Sequence, residues 1–572
     1  MREIFKGIKK YIFPMLIAFV LNVLSTLCMV ALPTLMTGVV DNGINAGNME
    51  YVYRACIMMA IVTILDVIFT VIAYWIGNKA ILGFGNTLRL RVFHKVLTMQ
   101  PKKIKEFGTG ALLTRSTEDV DRIGDVTGSI ITMLASIPVT LIAGTVLAFR
   151  KSPALAGILL AFTPIVVLVV FLCGRNVDKH WERADKDIDK QNALISARLS
   201  GIRVVRAFNQ ERTEQEKIEK ATRSMSKSIV QGNMRSELIA PISMFVLNVA
   251  TIVIIATGAK QITNPNSLLT AGGVLAVIEY VGMITSGILS VSYFLSEIPR
   301  FRTNCVRVSQ ILSSKDENEG FAQQALQMDG SIRLENVGFS YTGEGFALKN
   351  VTASIEKGET VAFIGGTGSG KSTLVRLLCG LESPTEGKIY FGEQDISAYP
   401  PREIRKHISC VRQRDVVFSG TLKESVDAIN SHTDEEVLSA ISDGQLKGFL
   451  EEKEEGLAYC IGERGGNLSG GQKQRVCISR ALLKDASVYV FDDSFSALDF
   501  LTERRLRTQL KNRLKGKTQI IVTQRVSTAK NCDKILVFDG GNLIAVGTHE
   551  QLVENCALYK EIHISQMGGV IA

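Results

Sequence analysis

Six runs of apolar residues constrain this chain more than anything else in it. They lie at roughly 12–40, 52–78, 128–149, 153–174, 239–262 and 270–296. Each holds the ~20 residues that a helix needs to cross about 30 Å of hydrocarbon. In lipid a backbone must satisfy its own hydrogen bonds, so runs of this length are read as membrane helices. The mean hydropathy of +0.19 over 572 residues agrees, because a water-soluble chain of this size rarely reaches a positive value. The gaps between runs alternate. Those after the first, third and fifth are short: DNGINAG, RKSP and QITNPNS. Those after the second and fourth are too long for structureless loops in a compact protein. They read instead as continuous helix, as in NTLRLRVFHKVL and DIDKQNALISARLSGIRVVRAF. The spans are therefore expected to continue into the cytosol as helical hairpins that turn near FGTG (107–110) and FNQE (208–211). Lys and Arg crowd these two gaps, which places them and both termini inside. Arg150 and Lys151 in the RKSP loop run against that bias.

The net charge of +9 fits the same picture. The basic residues sit between apolar runs, so their partner is an anionic membrane surface and not nucleic acid. The 10 Cys form no CxxC pair, which argues against a disulfide scaffold or a zinc site. The six His show no ligand cluster, so they are not expected to hold a metal. At the start, Ile4, Phe5, Ile8 and Ile12 fall on one helical face and Arg2, Lys6, Lys9 and Lys10 on the other. This predicts a short helix lying on the cytoplasmic membrane surface. A signal peptide is the rival, and the following apolar run is too long for one.

From Ser331 the pattern changes to strands, glycine turns and amphipathic helices, as in a soluble α/β domain. The expected organisation is a six-helix membrane domain over 1–302, a polar linker over 303–330 and an α/β P-loop domain over 331–572.

The second half carries the chemistry. GETVAFIGGTGSGKSTLVRLL (358–378) reads as strand, glycine loop and helix start, and Gly365, Gly370, Lys371 and Ser372 fit G-x-x-x-x-G-K-S. Backbone N–H groups along Gly365, Gly366, Thr367, Gly368, Ser369 and Gly370 can close around phosphate oxygens. The helix start at Lys371, Ser372 and Thr373 adds positive potential. Lys371 is suited to the β- and γ-phosphates, and the Ser372 hydroxyl to Mg²⁺. A second Mg²⁺ contact is offered by Asp492, at the end of the strand in VYVFDDSFSALD. Between them lies NLSGGQKQRVCISRALL (467–483). A helix behind Leu468, Ser469, Gly470, Gly471 and Gln472 offers a second set of donors to an anion. The chain already cradles phosphates elsewhere, so this arrangement implies a nucleotide sandwiched between two subunits.

These motifs, in this order, resemble an ATP-binding cassette (ABC) half-transporter of the bacterial exporter type over nearly the whole length. The resemblance implies ATP and Mg²⁺ as ligands, a second half-transporter as partner, and a multi-pass position in the cytoplasmic membrane among its lipids. It also implies roles. Tyr341 of FSYTGEG would stack on adenine. Gln413 of VRQRDVVFSGTL would sense Mg²⁺ and the membrane domain. LSGGQ (468–472) would be the signature that serves the partner's ATP, preceded by the cross-talk loop GERG (462–465). Ser496, Ala497, Leu498 and Asp499 would form the D-loop. GTGALLTRSTEDVDRI and GIRVVRAFNQE resemble the coupling regions of the two hairpins.

Two positions depart from the family pattern. The general base after the Walker B aspartate is a glutamate in the family and Asp493 here. The switch histidine is Gln524 here, in IIVTQRVST. Losing one methylene withdraws a carboxylate by about 1.3 Å, and misplacement near 1 Å can cost about 10²-fold in rate. Glutamine can hydrogen-bond a phosphate but cannot take up a proton. Beside intact Walker A and signature motifs, the two changes predict a site that binds ATP and hydrolyses it poorly. The expected protein is thus one half of a heterodimer with asymmetric sites; a homodimer with two weak sites is the alternative.

Export of hydrophobic or amphipathic small molecules is the expected activity. A lipid flippase, a peptide exporter, an importer on the exporter fold and an ATP-binding membrane sensor remain alternatives. Asp66 and Glu279 fall within spans, where polar groups are costly and often face a cavity or a partner. They are candidate substrate contacts, with ordinary helix–helix hydrogen bonding as the competing reading.

Overall fold

The computed structural model describes residues 2–567 except 175–176, 265–268, 322–323, 342 and 414–415. Residues 265–267 of the QITNPNS loop, and Arg414 and Asp415 of VRQRDVVFSGTL, therefore lie outside the described residues. Two compact units make up the chain: Met1–Leu97 with Phe107–Ser314, and Thr98–Glu106 with Lys315–Ala572.

In the first unit, among the described residues, six helices are long and apolar enough to cross a membrane, as the six runs require. One of them, Met49–Thr98, has 50 residues. At 1.5 Å per residue it spans about 75 Å, more than twice the hydrocarbon thickness. Its continuation ends in short helices at Pro101–Phe107 and Thr109–Ser116, with the chain turning at Gly108 (φ 76°). The second hairpin turns after Ile202–Ala207, with Asn209 in the left-handed region at φ 50°. Both turns fall where helix signals fail in the sequence. The unit's core gathers Leu155, Leu159, Ile254, Val277, Tyr280 and Ile284. Polar side chains in the spans are used locally. The Thr34 and Tyr280 hydroxyls lie 2.7 Å apart, and Ser25 donates to Asp66 at 2.5 Å.

Two expectations fail here. The last membrane helix runs Ala271–Leu312, ten residues past the boundary expected at 302, so the linker expected over 303–330 begins inside a helix. The cause is visible in FRTNCVRVSQIL: Cys305, Val308 and Ile311 recur every three residues, and all three are fully buried. The N-terminal segment is not one helix on a membrane surface. It breaks at Gly7 into Arg2–Phe5 and a 3₁₀ turn at Ile8–Tyr11. Part of its apolar side is taken up by protein: Ile4 is fully buried, Phe5 stacks on Phe84 at 6.1 Å, and Tyr11 and Thr87 share a hydrogen bond of 2.9 Å, while Ile12 is exposed.

The second unit is built on a ten-stranded sheet. Five of its strands lie parallel in the order Lys534–Asp539, Thr360–Gly365, Thr518–Thr523, Val488–Asp492 and Ile408–Val411. Their sequences are near-continuous apolar runs because both faces are covered. Antiparallel strands Ile332–Phe339, Leu348–Ile355 and Glu386–Phe391 extend one side. The register decides where chemistry can occur. Ile364 sits opposite Thr523, and Val522 opposite Asp492. The loops after these three strands therefore leave from one edge of the sheet, where ligands of open parallel sheets bind. Thr98–Glu106 joins this unit through Thr98, whose carbonyl accepts from the Glu317 N–H at 2.8 Å and whose hydroxyl donates to Asp316 at 2.6 Å.

Candidate functional site

At that edge lies a cleft of about 380 Å³. Three adjacent strands supply it. The strand Thr360–Gly365 leads into the glycine loop, Val488–Asp492 into Asp493, and Thr518–Thr523 into Gln524. Thr367, Gly368, Ser369, Gly370, Lys371, Ser372 and Thr373 line the cleft, with Tyr341, Gln413, Asp492, Asp493 and Gln524 around them. Gly365 and Gly366 border it through their carbonyls, which hold Lys371. The helix Lys371–Leu378 starts at Gly370, whose φ is 98°. A Cβ there would stand 2.8 Å from the Ala347 carbonyl oxygen, so both the backbone and the space require glycine.

The electrostatics are those of a site built for an anion. Lys371 is only 7% exposed, and its ammonium is held by the carbonyls of Gly365 (3.0 Å) and Gly366 (2.6 Å) and by the Ser369 hydroxyl (2.9 Å). Burial holds this lysine below its ordinary pKa, against the opposing pull of Asp492 and Asp493. Burial likewise raises the Asp492 carboxyl; the Ser372 hydrogen bond and Lys371 oppose the rise, and Asp493 adds to it. Ser372 Oγ donates to Asp492 Oδ1 at 3.1 Å. A hydroxyl and a carboxylate side by side suit a hard cation such as Mg²⁺, and a buried ammonium short of counter-charge suits a phosphate chain. The residues present fit both ligands.

Asp493 and Gln524, the two positions the resemblance marks as departures, both line this cleft. Asp493 is half-buried, with φ 50°. Its N–H donates to the Val522 carbonyl at 3.0 Å, and its Oδ2 accepts from Gln413 Nε2 at 3.2 Å. Left-handed backbone is tolerated better by Asp than by most longer side chains. Gln524 is exposed at the rim. Tyr341 is also half-open, its hydroxyl 3.2 Å from Thr373 Oγ1. The Lys105 ammonium lies 5.6 Å from the Tyr341 ring centre and 3.5 Å from Glu382.

The signature residues are elsewhere on this unit and do not line the cleft. Ser469 caps the helix Gly470–Leu483 in a reciprocal box: its hydroxyl accepts from the Gln472 N–H at 3.2 Å, and Gln472 Oε1 accepts from the Ser469 N–H at 2.8 Å. Leu468 is buried beneath, Ser469 and Gly470 are exposed, and Gly471 and Gln472 are half-buried. The D-loop lies against this helix in the same chain. Ala497 N–H donates to Gln474 Oε1 at 3.2 Å, and a Cβ on Gly471 would stand 3.1 Å from the Ala497 carbonyl oxygen. Asp499 caps the helix Phe500–Arg513, which holds its carboxyl below the usual range through the Thr502 N–H. Leu498 is buried against the core, whereas Ser496 is exposed and its hydroxyl donates to the Asp493 carbonyl at 2.9 Å.

The sequence did not single out the residues that tie these parts together. Arg525 bonds the buried Glu503 at 2.8 Å and the Ser496 carbonyl at 3.2 Å, linking the Gln524 loop to the D-loop. Arg525 adjoins Gln524 in IIVTQRVST, which was the available signal. Glu503 gave none. In the membrane unit, Asp66 accepts from Ser25 and Thr70, the ordinary use of a polar group between helices. Glu279 is exposed in the single chain. A small apolar pocket between Leu159, Val246 and Thr285 includes neither acid in its lining.

Comparison with known proteins agrees with this geometry. Residues 15–289 match the family model described as ABC transporter transmembrane region, and 348–496 match that described as ABC transporter. The chain is 31% identical over 567 residues to an uncharacterised ABC transporter ATP-binding protein of Mycobacterium bovis, covering 96% of each. It is 29% identical over 484 residues to an ATP-dependent lipid A-core flippase of Hahella chejuensis, covering 84% of this chain and 82% of that one. A solved bacterial Atm1-family ABC exporter with ATP bound has the same fold, with a TM-score of 0.85, 22% identity and 99% of both chains covered.

Proposed function

The chain belongs to the ABC transporters, and on that premise we propose that it is one half of a heterodimeric exporter whose own ATP site is slow and whose signature serves its partner's site. As a member of that family it is a multi-pass membrane protein of exporter fold with an ATPase domain that drives transport. The finer reading rests on one observation. Lys371, Ser372 and Asp492 line one cleft with Asp493 and Gln524; the first three suit phosphate and Mg²⁺, and the last two would act on water and on the γ-phosphate.

In this reading Lys371 and the N–H groups of its loop hold the phosphates. Ser372 and Asp492 would hold Mg²⁺, which neutralises developing charge on the phosphate oxygens when bound. Gln413 orients Asp493 through its side-chain amide. Asp493 is the acceptor for a proton from the attacking water, but its short side chain leaves it withdrawn. Gln524 donates a hydrogen bond toward the γ-phosphate and stores no proton. Tyr341 supports the base. ATP is thus retained long enough to keep two nucleotide domains together, while turnover belongs to the partner's Walker residues completed by Ser469, Gly470 and Gly471 of this chain. Closure of the two domains draws the cytosolic hairpins together and opens the membrane cavity outward; hydrolysis at the partner's site resets it. The bacterial cytoplasmic membrane is the proposed location, with the nucleotide domain inside.

The proposed cargo is hydrophobic or amphipathic. A lipid flippase is the second reading, favoured by the flippase relative from Hahella chejuensis. Glu279 stays a candidate for the cavity wall, and Asp66 is spent on Ser25 and Thr70. The test is assembly. This chain purified alone should bind ATP–Mg²⁺ and hydrolyse it slowly, and co-expression with its partner should raise turnover. Brisk turnover by a verified homodimer would end the asymmetric reading.

A further inference from the structure

The loop that carries Gln524 is held by a part of the chain that no ATP motif includes. The helix Ala557–Met567 ends beside it. Gln566 Nε2 donates to the Gln524 carbonyl at 2.6 Å, and Gln566 Oε1 accepts from the Val526 N–H at 2.8 Å. One carboxamide therefore brackets the backbone on both sides of Arg525. The assignment of its oxygen and nitrogen follows from what they face, because a carbonyl can only accept and a peptide N–H can only donate. The helix is a firm base for this clamp. Tyr559 is fully buried in a cluster with Ala362, Ile364 and Val526, and its hydroxyl lies 2.8 Å from His549 Nδ1. On the opposite side, Arg525 fastens the loop to Glu503 and Ser496. Gln524 itself is exposed, so its aim is set by its backbone and not by packing.

We propose that Gln566 is a positioning residue of the ATP site: its carboxamide sets the backbone from which Gln524 reaches the γ-phosphate, and it makes the C-terminal helix part of nucleotide recognition. This rests on the reading of Gln524 as the γ-phosphate contact. Gln566 does not line the cleft, so its influence is confined to what Gln524 senses, the presence of a third phosphate. Its loss should change the preference for ATP over ADP while leaving ADP binding alone.

The test uses the full-length chain in lipid nanodiscs, with Mg²⁺–ATP and Mg²⁺–ADP affinities measured for the wild type, Gln566→Leu, Gln566→Glu, Gln524→Ala and the double variant Gln524→Ala/Gln566→Leu. Gln566→Leu removes both bonds. Gln566→Glu keeps the acceptor for Val526 and sets a second oxygen against the Gln524 carbonyl. The side chain is exposed, so both variants should fold, and thermal unfolding midpoints check it. Both should lower the ATP-to-ADP preference by about tenfold with ADP affinity unchanged, the scale expected for one or two hydrogen bonds. In the Gln524→Ala background the Leu change should add little, because the two residues act in series. Equal loss of ATP and ADP affinity, or full additivity with Gln524→Ala, would overturn the proposal and leave Gln566 a structural residue. If Gln524→Ala lowers the preference and Gln566→Leu does not, the clamp alone fails. If Gln524→Ala itself has no effect, the γ-phosphate reading fails, and the clamp's proposed role falls with it.

Discussion

The cleft around Lys371 and the surface around Ser469, the two phosphate-binding devices of the proposed mechanism, differ in burial and in the residues that complete them. The cleft is open at its rim and buried at its base. Its lysine and aspartate are buried, each shifted toward its neutral form by loss of water, and its polar groups bond one another. The signature surface is open. Ser469 and Gly470 are exposed, and the helix behind them is already capped by the chain's own Ser469 and Gln472. The cleft carries both positions read from the resemblance as departures, Asp493 and Gln524. The signature surface carries none. A cleft with a buried lysine and aspartate at its base can keep a ligand without turning it over; an exposed half-site has a use only when another subunit brings the ligand to it. In the proposed heterodimer this difference would put the turnover that the chain supports in its partner.

The comparison can be broken in order of expected effect. In the heterodimer, Ser469→Ala should lower ATPase activity by about 10²–10³-fold, the cost of removing a donor that acts in the transition state. The same change removes a helix cap, usually about 1 kcal/mol of stability, so the thermal midpoint must be followed alongside. A fall in rate no larger than the stability loss explains would mean the signature surface is idle. Next comes Lys371→Ala. It removes a charged contact worth about 1.5–3 kcal/mol, or about 10–150-fold in ATP affinity of the isolated chain, read by equilibrium binding. Unchanged affinity would mean that the buried ammonium is a structural prop for the loop carbonyls.

A smaller effect is expected at Gly471. A methyl group there would press on the Ala497 carbonyl, so Gly471→Ala should displace the D-loop and reduce heterodimer ATPase by about tenfold, within the cost of a sub-ångström misplacement. ATP affinity of this chain alone should not change, and a parallel loss there would erase the separation between the two devices. The smallest effect belongs to Asp493→Glu. It returns the carboxylate to full reach, but Gln524 is still in the switch position and the residue must sit at φ 50°. Single-turnover hydrolysis by the isolated chain should rise by less than the ~10²-fold that full repositioning could give. Adding Gln524→His should raise it further when a competent signature is supplied.

Much of this was legible in the sequence, and unevenly so. The membrane helices could be read because each must satisfy its own backbone in lipid, and the nucleotide loops because glycine spacing and strand context are local. The boundary at 302 was misplaced because apolar spacing at Cys305, Val308 and Ile311 continues the helix through a polar-looking stretch. The N-terminal helix was misread because amphipathic spacing does not say whether the apolar side meets lipid or Phe84. Gln566 could not be found at all. It lies 40 residues or more from the loop it holds, and a glutamine near a chain end has no pattern of its own.

The division of labour between the two devices is best examined with a pair of heterodimers, one carrying Gly470→Leu and the other Asp493→Asn, assayed for steady-state ATPase at saturating ATP. A Cβ at Gly470 would find only the Ala497 methyl, at 3.7 Å, so the leucine disturbs what docks on the surface and not the chain's own fold. Asp493→Asn removes the carboxylate's charge and changes little else. Most activity should disappear with Gly470→Leu and most should survive Asp493→Asn. If Asp493→Asn is the more damaging of the two, this chain's own Walker site is the working one.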